Sequence, residues 1–349
     1  MNGTQKFVTL DGMRGIAAFF VLVGHTQAFW HFNFPRGYLA VDLFFILSGF
    51  VIAHAYEAKL VSGRLSKRGF VITRLIRLYP MYGLSLVLAV SAAVYLSLVR
   101  HSSSTDSLRL GLATIFALAV LPFNLHDGTI FPINPPTWSL FFELIVNALY
   151  AVFRSLLTTS AILLSMAISF CAMAIDGWHV GNLDFGHYWG LSLFGGLARA
   201  VFGILCGLLL FRHREMIVRR LRLKGSVLLP LAAVAVVLGT PEFSTHEWMA
   251  DLIAVAVVFP LCVLLGAEGT PKRLSRALAL LGIASYPIYV LHVPVARVTM
   301  ALVGGSADRY APMSGIAFVT AIVVLSLALE RFVDLPLRQW LRSVLVISQ

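Results

Sequence analysis

Charge is scarce in this sequence. Only 12% of its 349 residues are Asp, Glu, Lys or Arg, about half of what a soluble domain carries, and that shortage excludes a water-exposed surface over most of the chain. Cysteine is scarce as well. Cys171, Cys206 and Cys262 lie inside apolar runs without metal-ligand spacing, so small buried residues are expected there and no metal site. No low-complexity linker, internal repeat or polar stretch long enough for a separate core interrupts the chain, which argues for one integral body over residues 1–349. The first apolar run is also not expected to be a secretory leader. Lys6 is the one basic flank, Arg14 breaks the first apolar run and no cleavage site follows, so that run reads as an anchor.

What fills the chain is hydrophobic. Apolar residues make up 59% of it and the mean hydropathy is +0.86, in runs of about 15 to 25 residues, the length a helix needs to cross a bilayer. Candidate segments lie at 10–31, 37–56, 78–99, 110–122, 138–153, 159–175, 189–211, 226–239, 249–266, 280–300 and 312–330. The charges decide which of them cross. Lys59, Arg64, Lys67, Arg68, Arg74 and Arg77 face Glu57 alone over 57–77, and Arg212, Arg214, Arg219, Arg220, Arg222 and Lys224 face Glu215 over 212–224. Both stretches are expected to be cytoplasmic under the positive-inside rule. The net charge of +11 is thereby read as topology, not as a nucleic-acid surface.

Two cytoplasmic loops require an even number of crossings between them, yet five candidates lie there. The weakest is 110–122, short and followed by the Pro-rich "LPFNLHDGTIFPINPPT", which cannot continue as a helix. Residues 110–136 are therefore expected to form a re-entrant or surface segment, tolerated at membrane depth where it is buried in protein or lines a cavity. The remaining loops then agree. Lys272, Arg273, Arg276 and the tail arginines Arg331, Arg338 and Arg342 fall inside, and Asp176, Asp184, Glu242 and Glu247 outside. The expectation is an all-α, polytopic transmembrane bundle of about ten spans with both termini cytoplasmic.

Ionisable groups inside such spans are costly, about 2.5–3.5 kcal/mol each on insertion scales, and are functional suspects by default. In "RGIAAFFVLVGH", Arg14 and His25 return to within about 20° on one helix face, separated by roughly 16 Å of rise. The pair points to something elongated, anionic at the cytoplasmic end and reactive deeper in. The bland reading is a snorkelling Arg14 and a His25 bonded to a neighbouring helix. Asp42, Glu143 and His292 enter at similar depth in their own segments. A His beside a carboxylate suits general-base work, so a dyad of His25 with Asp42 or Glu143 is one expectation and separate interhelical hydrogen bonds the other. Arg74 and Arg77, three residues apart on one face, are either topogenic anchors or a fork for phosphates.

The strings "LDGMRGIAAFFVLVGH", "VDLFFILSGFVIA", "TRLIRLYP", "PTWSLFFEL" and "SYPIYVLHVPV" stand in this order across nearly the whole chain. They resemble the integral-membrane acyltransferase family 3, whose members acylate cell-envelope glycans and some secreted small molecules. The resemblance implies transfer of an acyl group, often acetyl, from cytoplasmic acyl-CoA to a hydroxyl on the far side of the bacterial inner (cytoplasmic) membrane. No bound cofactor or metal is expected; acyl-CoA is a co-substrate. It implies Arg14 with His25 as the signature pair, and Arg74 and Arg77 as its paired arginines. Joined to the depth argument, it makes His25 a base or transient acyl carrier, oriented by Asp42 or Glu143. Arg14, Arg74 and Arg77 would then hold the donor phosphates. Trp138 becomes a candidate for acceptor stacking, and Arg199 or His292 a candidate oxyanion donor. The chain runs about twenty residues past its last apolar segment, so the stand-alone form without a C-terminal extra domain is expected. The rival from the same residue types is a proton-coupled secondary transporter, which lacks here a matched pair of broken helices.

Overall fold

The apolar runs close into helices. The computed structural model describes residues 6–100, 107–125, 128–241, 246–269, 273–304 and 306–345. Glu242 and Lys272 of the loop-charge pattern, and His126 and Asp127 of the 110–136 segment, lie outside the described residues. In chain order the main helices are α1 (Val8–His25), α2 (Pro35–Val61), α3 (Lys67–Leu96), α4 (Leu108–Leu118), α5 (Pro135–Leu156), α6 (Thr159–Val180), α7 (Leu191–Arg220), α8 (Leu228–Gly239), α9 (Glu247–Glu268), α10 (Ser275–Val303) and α11 (Met313–Val344). Nine of these are long and apolar enough to cross a membrane, α4 and α8 being the short ones. Among the described residues the sole strand pairing is an isolated bridge between Thr129 and Tyr188.

Helix α8 rises only about 18 Å, yet it connects the two ends of the bundle. The Ser226 amide just before it donates to the Leu265 carbonyl near the end of α9 (3.1 Å), and Gly239 at its far end lies against Phe20 of α1. Nine helices meet the length and apolarity of a span where about ten were expected, and the short α8 occupies the place of the tenth. The chain gathers Lys6, the 62–66 turn with the start of α3, Arg212 to Lys224, Arg273, Arg276, Arg338 and Arg342 at one end, called here the basic end. The 26–34 and 181–190 loops lie at the opposite end.

Packing explains the order of enclosure. Helices α7 and α10 are the most buried spans, while α6 and α11 form the rim. Apolar side chains such as Val87, Ile115, Leu164, Ile168 and Val324 face outward, as a bilayer requires. The most extensive helix pairs are α1 with α10 and α2 with α7. Between α2 and α7 the backbones approach closely through Gly49, Gly203 and Gly207. A Cβ at Gly203 would sit 2.5 Å from that of Phe45, and one at Gly207 would overlap the Ile46 carbonyl. Small residues at such a crossing gain van der Waals contact where lipid supplies no hydrophobic drive.

Residues 110–136 do not cross as a helix. Helix α4 packs Ala113 and Ala117 on Leu86 and Ala89 of α3, and the hydroxyls of Tyr79 (2.7 Å) and Tyr82 close its end by donating to Leu118 and Ala117 carbonyls. The chain then turns inward without regular structure. Arg297 of α10 donates to the Ile133 carbonyl at 2.6 Å, and buried Asn134 donates its amide to the Val290 carbonyl at 2.9 Å. The Val290 carbonyl is available because Pro294 interrupts α10 four residues on and has no N–H to give it. Irregular backbone is thus held inside protein, where its polar groups find partners.

Candidate active site

Two cavities meet inside the bundle. The first, of about 300 Å³, reaches toward the basic end and is lined by Arg14, Arg74, Arg77, Arg342, Glu143 and Ser48, among others. Glu143 is held there by two donors on its Oε1, Arg74 at 2.5 Å and Ser48 at 2.6 Å. Arg14, Arg77 and Arg342 form no salt bridge among the described residues. Four guanidinium groups therefore face one carboxylate in a partly desolvated space, which favours an anionic guest with several oxyanions.

The second cavity, of about 290 Å³, lies toward the opposite end and is lined by His25, Trp138, His187, Asp184, Asn33 and Tyr38, among others. His25 sits at the C-terminus of α1, where its Nδ1 is 2.9 Å from the Val21 carbonyl. A carbonyl can only accept, so Nδ1 carries the proton and Nε2 keeps a lone pair for base or nucleophile work. His292, fully buried on α10, makes the same bond from its Nδ1 to the Ile288 carbonyl at 3.0 Å. The two imidazoles meet edge to face with centroids 5.1 Å apart.

Of the residues expected to converge, the structure brings His25 and His292 together and takes the carboxylates elsewhere. Asp42 is bound by Arg199 in a bidentate pair, Nε to Oδ1 at 3.0 Å and a terminal nitrogen to Oδ2 at 2.7 Å, with both side chains fully buried. Arg199 also donates to the Phe185 and Tyr38 carbonyls at 2.6 and 3.0 Å. This corrects one expectation: Asp42 is paired with Arg199 and does not orient His25. Arg199 itself is fully buried and is not among the residues that line the His25 cavity, so the structure does not bring it to the ring as an oxyanion donor. Glu143 is likewise committed to Arg74 in the first cavity, so the His25–carboxylate dyad is absent among the described residues. The Val21 carbonyl fixes the tautomer instead.

Other residues at the site were missed by sequence reasoning. His187, in the loop between α6 and α7, lies with its Nδ1 3.9 Å from Asp184. Burial holds its imidazole below the usual histidine range; Asp184 opposes this, while Arg199 and His25 add to it. The loop is tied to the 128–131 strip by Ile130 N–H to the His187 carbonyl and Trp189 N–H to the Gly128 carbonyl, both 3.0 Å. A lone histidine in a loop gives no periodic signal, so nothing in the sequence pointed to it. Arg342 was counted only as a topogenic charge, and only the amphipathic pattern of the last helix segment hinted that it faces inward. Tyr289 stands three residues before His292 in a string already singled out, and its spacing put it on the same face. Among the described residues no group of three or more His, Cys, Asp or Glu is placed to hold a metal ion.

Comparison with known proteins gives the family. The family model described as "Acyltransferase domain" matches residues 7–330. The chain is also similar to "Protein 2 in picA locus" of Rhizobium radiobacter, 39% identical over 175 residues, covering 47% of this chain and 91% of that protein. No solved structure matches it. With a family model spanning nearly the whole bundle, the chain belongs to acyltransferase family 3 and is a multi-pass membrane acyltransferase.

Proposed function

We propose that this acyltransferase takes an acyl group, acetyl being the one the family resemblance implies, from acyl-CoA entering at the basic end. It passes that group to a hydroxyl held in the opposite cavity, on a glycan, glycolipid or secreted small molecule. The basic end is cytoplasmic in this reading, with the arginine-rich turns and both termini inside, and the membrane is the bacterial inner membrane. The observation that carries the proposal is the division of chemistry between the cavities. Arginines gather at one, and a histidine with a free Nε2 lines the other.

Coenzyme A matches that division, being anionic at one end and a thioester at the other. Arg14, Arg77 and Arg342 bind its phosphates, and Arg74 is positioned by Glu143. His25 Nε2 accepts the acceptor proton as the hydroxyl oxygen attacks the thioester carbonyl, a contribution of about 10²–10⁴-fold. The C–S bond breaks, and the thiolate leaves with a proton as free CoA. A two-step route, in which Nε2 itself carries the acyl group briefly, uses the same geometry. His292 packs edge to face on His25 and holds its ring in place in either route. Trp138 offers an aromatic face to a sugar ring.

The test is acetyl-CoA binding and turnover in purified protein. Arg14→Ala should weaken donor binding by about tenfold, ~1.4 kcal/mol. His25→Ala should bind the donor normally and lose about 10²–10⁴-fold in turnover. A folded wild-type protein that neither binds nor consumes acyl-CoA would mean that the donor belongs to another class.

A further inference from the structure

We infer that Tyr289 is the partition between the donor and acceptor cavities and keeps water on the acceptor side from reaching the bound thioester. This rests on the proposed acyl-CoA reading and names the residue on which coupling of the two halves depends. The two cavities have only Val41 and Tyr289 in common among their lining residues. Arg14, Arg74 and Arg77 line one cavity alone, and His25, Trp138 and His187 line the other alone. A thioester delivered by the arginines therefore cannot reach His25 without passing the tyrosine ring.

The ring is anchored from several sides. Its hydroxyl donates to the Pro136 carbonyl at 2.8 Å and accepts from Ser139 at 2.7 Å. Phe44 of α2 meets it edge to face at 5.5 Å, and His292 lies 6.2 Å away on the next turn. The partition thus joins α2, the start of α5 and α10. The backbone that carries it is softened on both sides, because Pro287 and Pro294 stand within α10 and each removes an internal helix bond. A ring held by two hydrogen bonds on a segment with fewer of its own can turn aside when an acyl chain arrives.

Coupling follows from this placement. In productive transfer the acceptor oxygen bonds the acyl carbon, the C–S bond breaks, the hydroxyl proton goes to His25 and CoA leaves as the thiol. If water takes the acceptor's place, its oxygen bonds the acyl carbon instead, and the products are the free acid and CoA thiol. Exclusion of water is what separates the two outcomes. Removing the ring joins the cavities and exposes the thioester to water whenever no acceptor is bound.

Two measurements test this. In the first, Val51, which lines only the donor cavity, is replaced in a background where Cys171, Cys206 and Cys262 are changed to alanine. The Val51→Cys protein, sealed in vesicles, is treated with a charged, membrane-impermeant thiosulfonate from each face. Modification should occur from the basic-end face only, and Tyr289→Ala should open the site to reagent from the opposite face. Equal labelling from both faces with Tyr289 in place, or no opening in Tyr289→Ala, overturns the partition. This readout needs no acyl-CoA, so it stands even if the donor is of another class.

The second measurement is the ratio of acceptor-dependent transfer to acceptor-free hydrolysis of acetyl-CoA. Tyr289→Ala should lower it by about tenfold or more. Tyr289→Phe, which keeps the ring and loses both hydroxyl bonds, should lower it less and stay closed to the reagent. If Tyr289→Ala does not fold, Tyr289→Leu, which also lacks the ring, takes its place in both measurements. A ratio and a labelling pattern unchanged from wild type in the ring-less variant overturn the inference, and an unchanged ratio in Tyr289→Phe assigns the barrier to the ring alone.

Discussion

At the residue scale the most deeply buried ion pair among the described residues is that of Asp42 with Arg199. Asp42 and Arg199 are each fully buried and close on one another, and Arg199 also lies 5.3 Å from the Trp138 ring. Taking away one member leaves an uncompensated charge in the bundle, at a cost of about 3–5 kcal/mol. Asp42→Ala and Arg199→Ala should therefore each lower the thermal midpoint in detergent, and the double variant should lose less than the two losses added. Turnover per folded molecule should fall far less than in His25→Ala. A stable Asp42→Ala protein with the turnover of His25→Ala would instead make Asp42 the partner of His25. The sequence made Asp42 and Glu143 conspicuous, since intramembrane carboxylates are costly. It could not say which arginine each would meet, because depth along a helix is legible and azimuth between helices is not. His25 and His292 are the converse case: both were conspicuous, and packing of α1 on α10 puts the rings in contact.

At the element scale the spans were legible because apolar runs and arginine clusters alternate along the chain. The weakness of 110–122 was legible too, through its length and the prolines that follow, and α4 ends at Leu118. What could not be read was how the irregular stretch is satisfied. Asn134 and Arg297 supply the donors, and both are distant in sequence from the carbonyls they serve on the partner element. The close crossing of α2 and α7 is another element-level feature that composition suggests only in outline, as "SGF" and "GILCG". It yields a direct prediction. Gly207→Ala forces a methyl onto the Ile46 carbonyl and the Phe50 amide, and overpacking of this kind costs about 1–3 kcal/mol. Gly83→Ala on α3 meets nothing within 4 Å and should leave stability unchanged or slightly raised. Thermal unfolding of the two variants side by side measures the difference. Equal midpoints would mean that the two helices part readily at this crossing.

At the scale of the whole molecule, the proposed function depends on placing opposite chemistries at opposite ends of one bundle. The charge pattern along the chain already separated the ends, but the two cavities arise where α1, α2, α5 and α10 come together, with α3 on the side of the arginines, and no single segment carries that information. Arg342 illustrates the point. It lies beyond the residues matched by the family model, which end at 330, on a helix segment whose neighbouring Arg338 is occupied by Glu330 and Asp334. Arg342 has no such pairing among the described residues and lines the donor cavity beside Arg14, Arg74 and Arg77. A cation so placed, at the exposed rim of the cavity proposed to take a phosphorylated donor, would act through long-range attraction that salt screens over about 8–10 Å. Arg342→Ala should therefore raise the Kd for acetyl-CoA about three- to tenfold, ~0.7–1.4 kcal/mol, at low ionic strength, leave saturated turnover unchanged and flatten the dependence of Kd on salt. Arg342→Lys should restore most of the affinity, since charge rather than the bidentate fork is what the rim position uses. Titration of acetyl-CoA at two salt concentrations measures all of this. An Arg342→Ala protein with the wild-type Kd and the wild-type salt slope would show that the donor phosphates end short of the rim, held by Arg14, Arg74 and Arg77 alone.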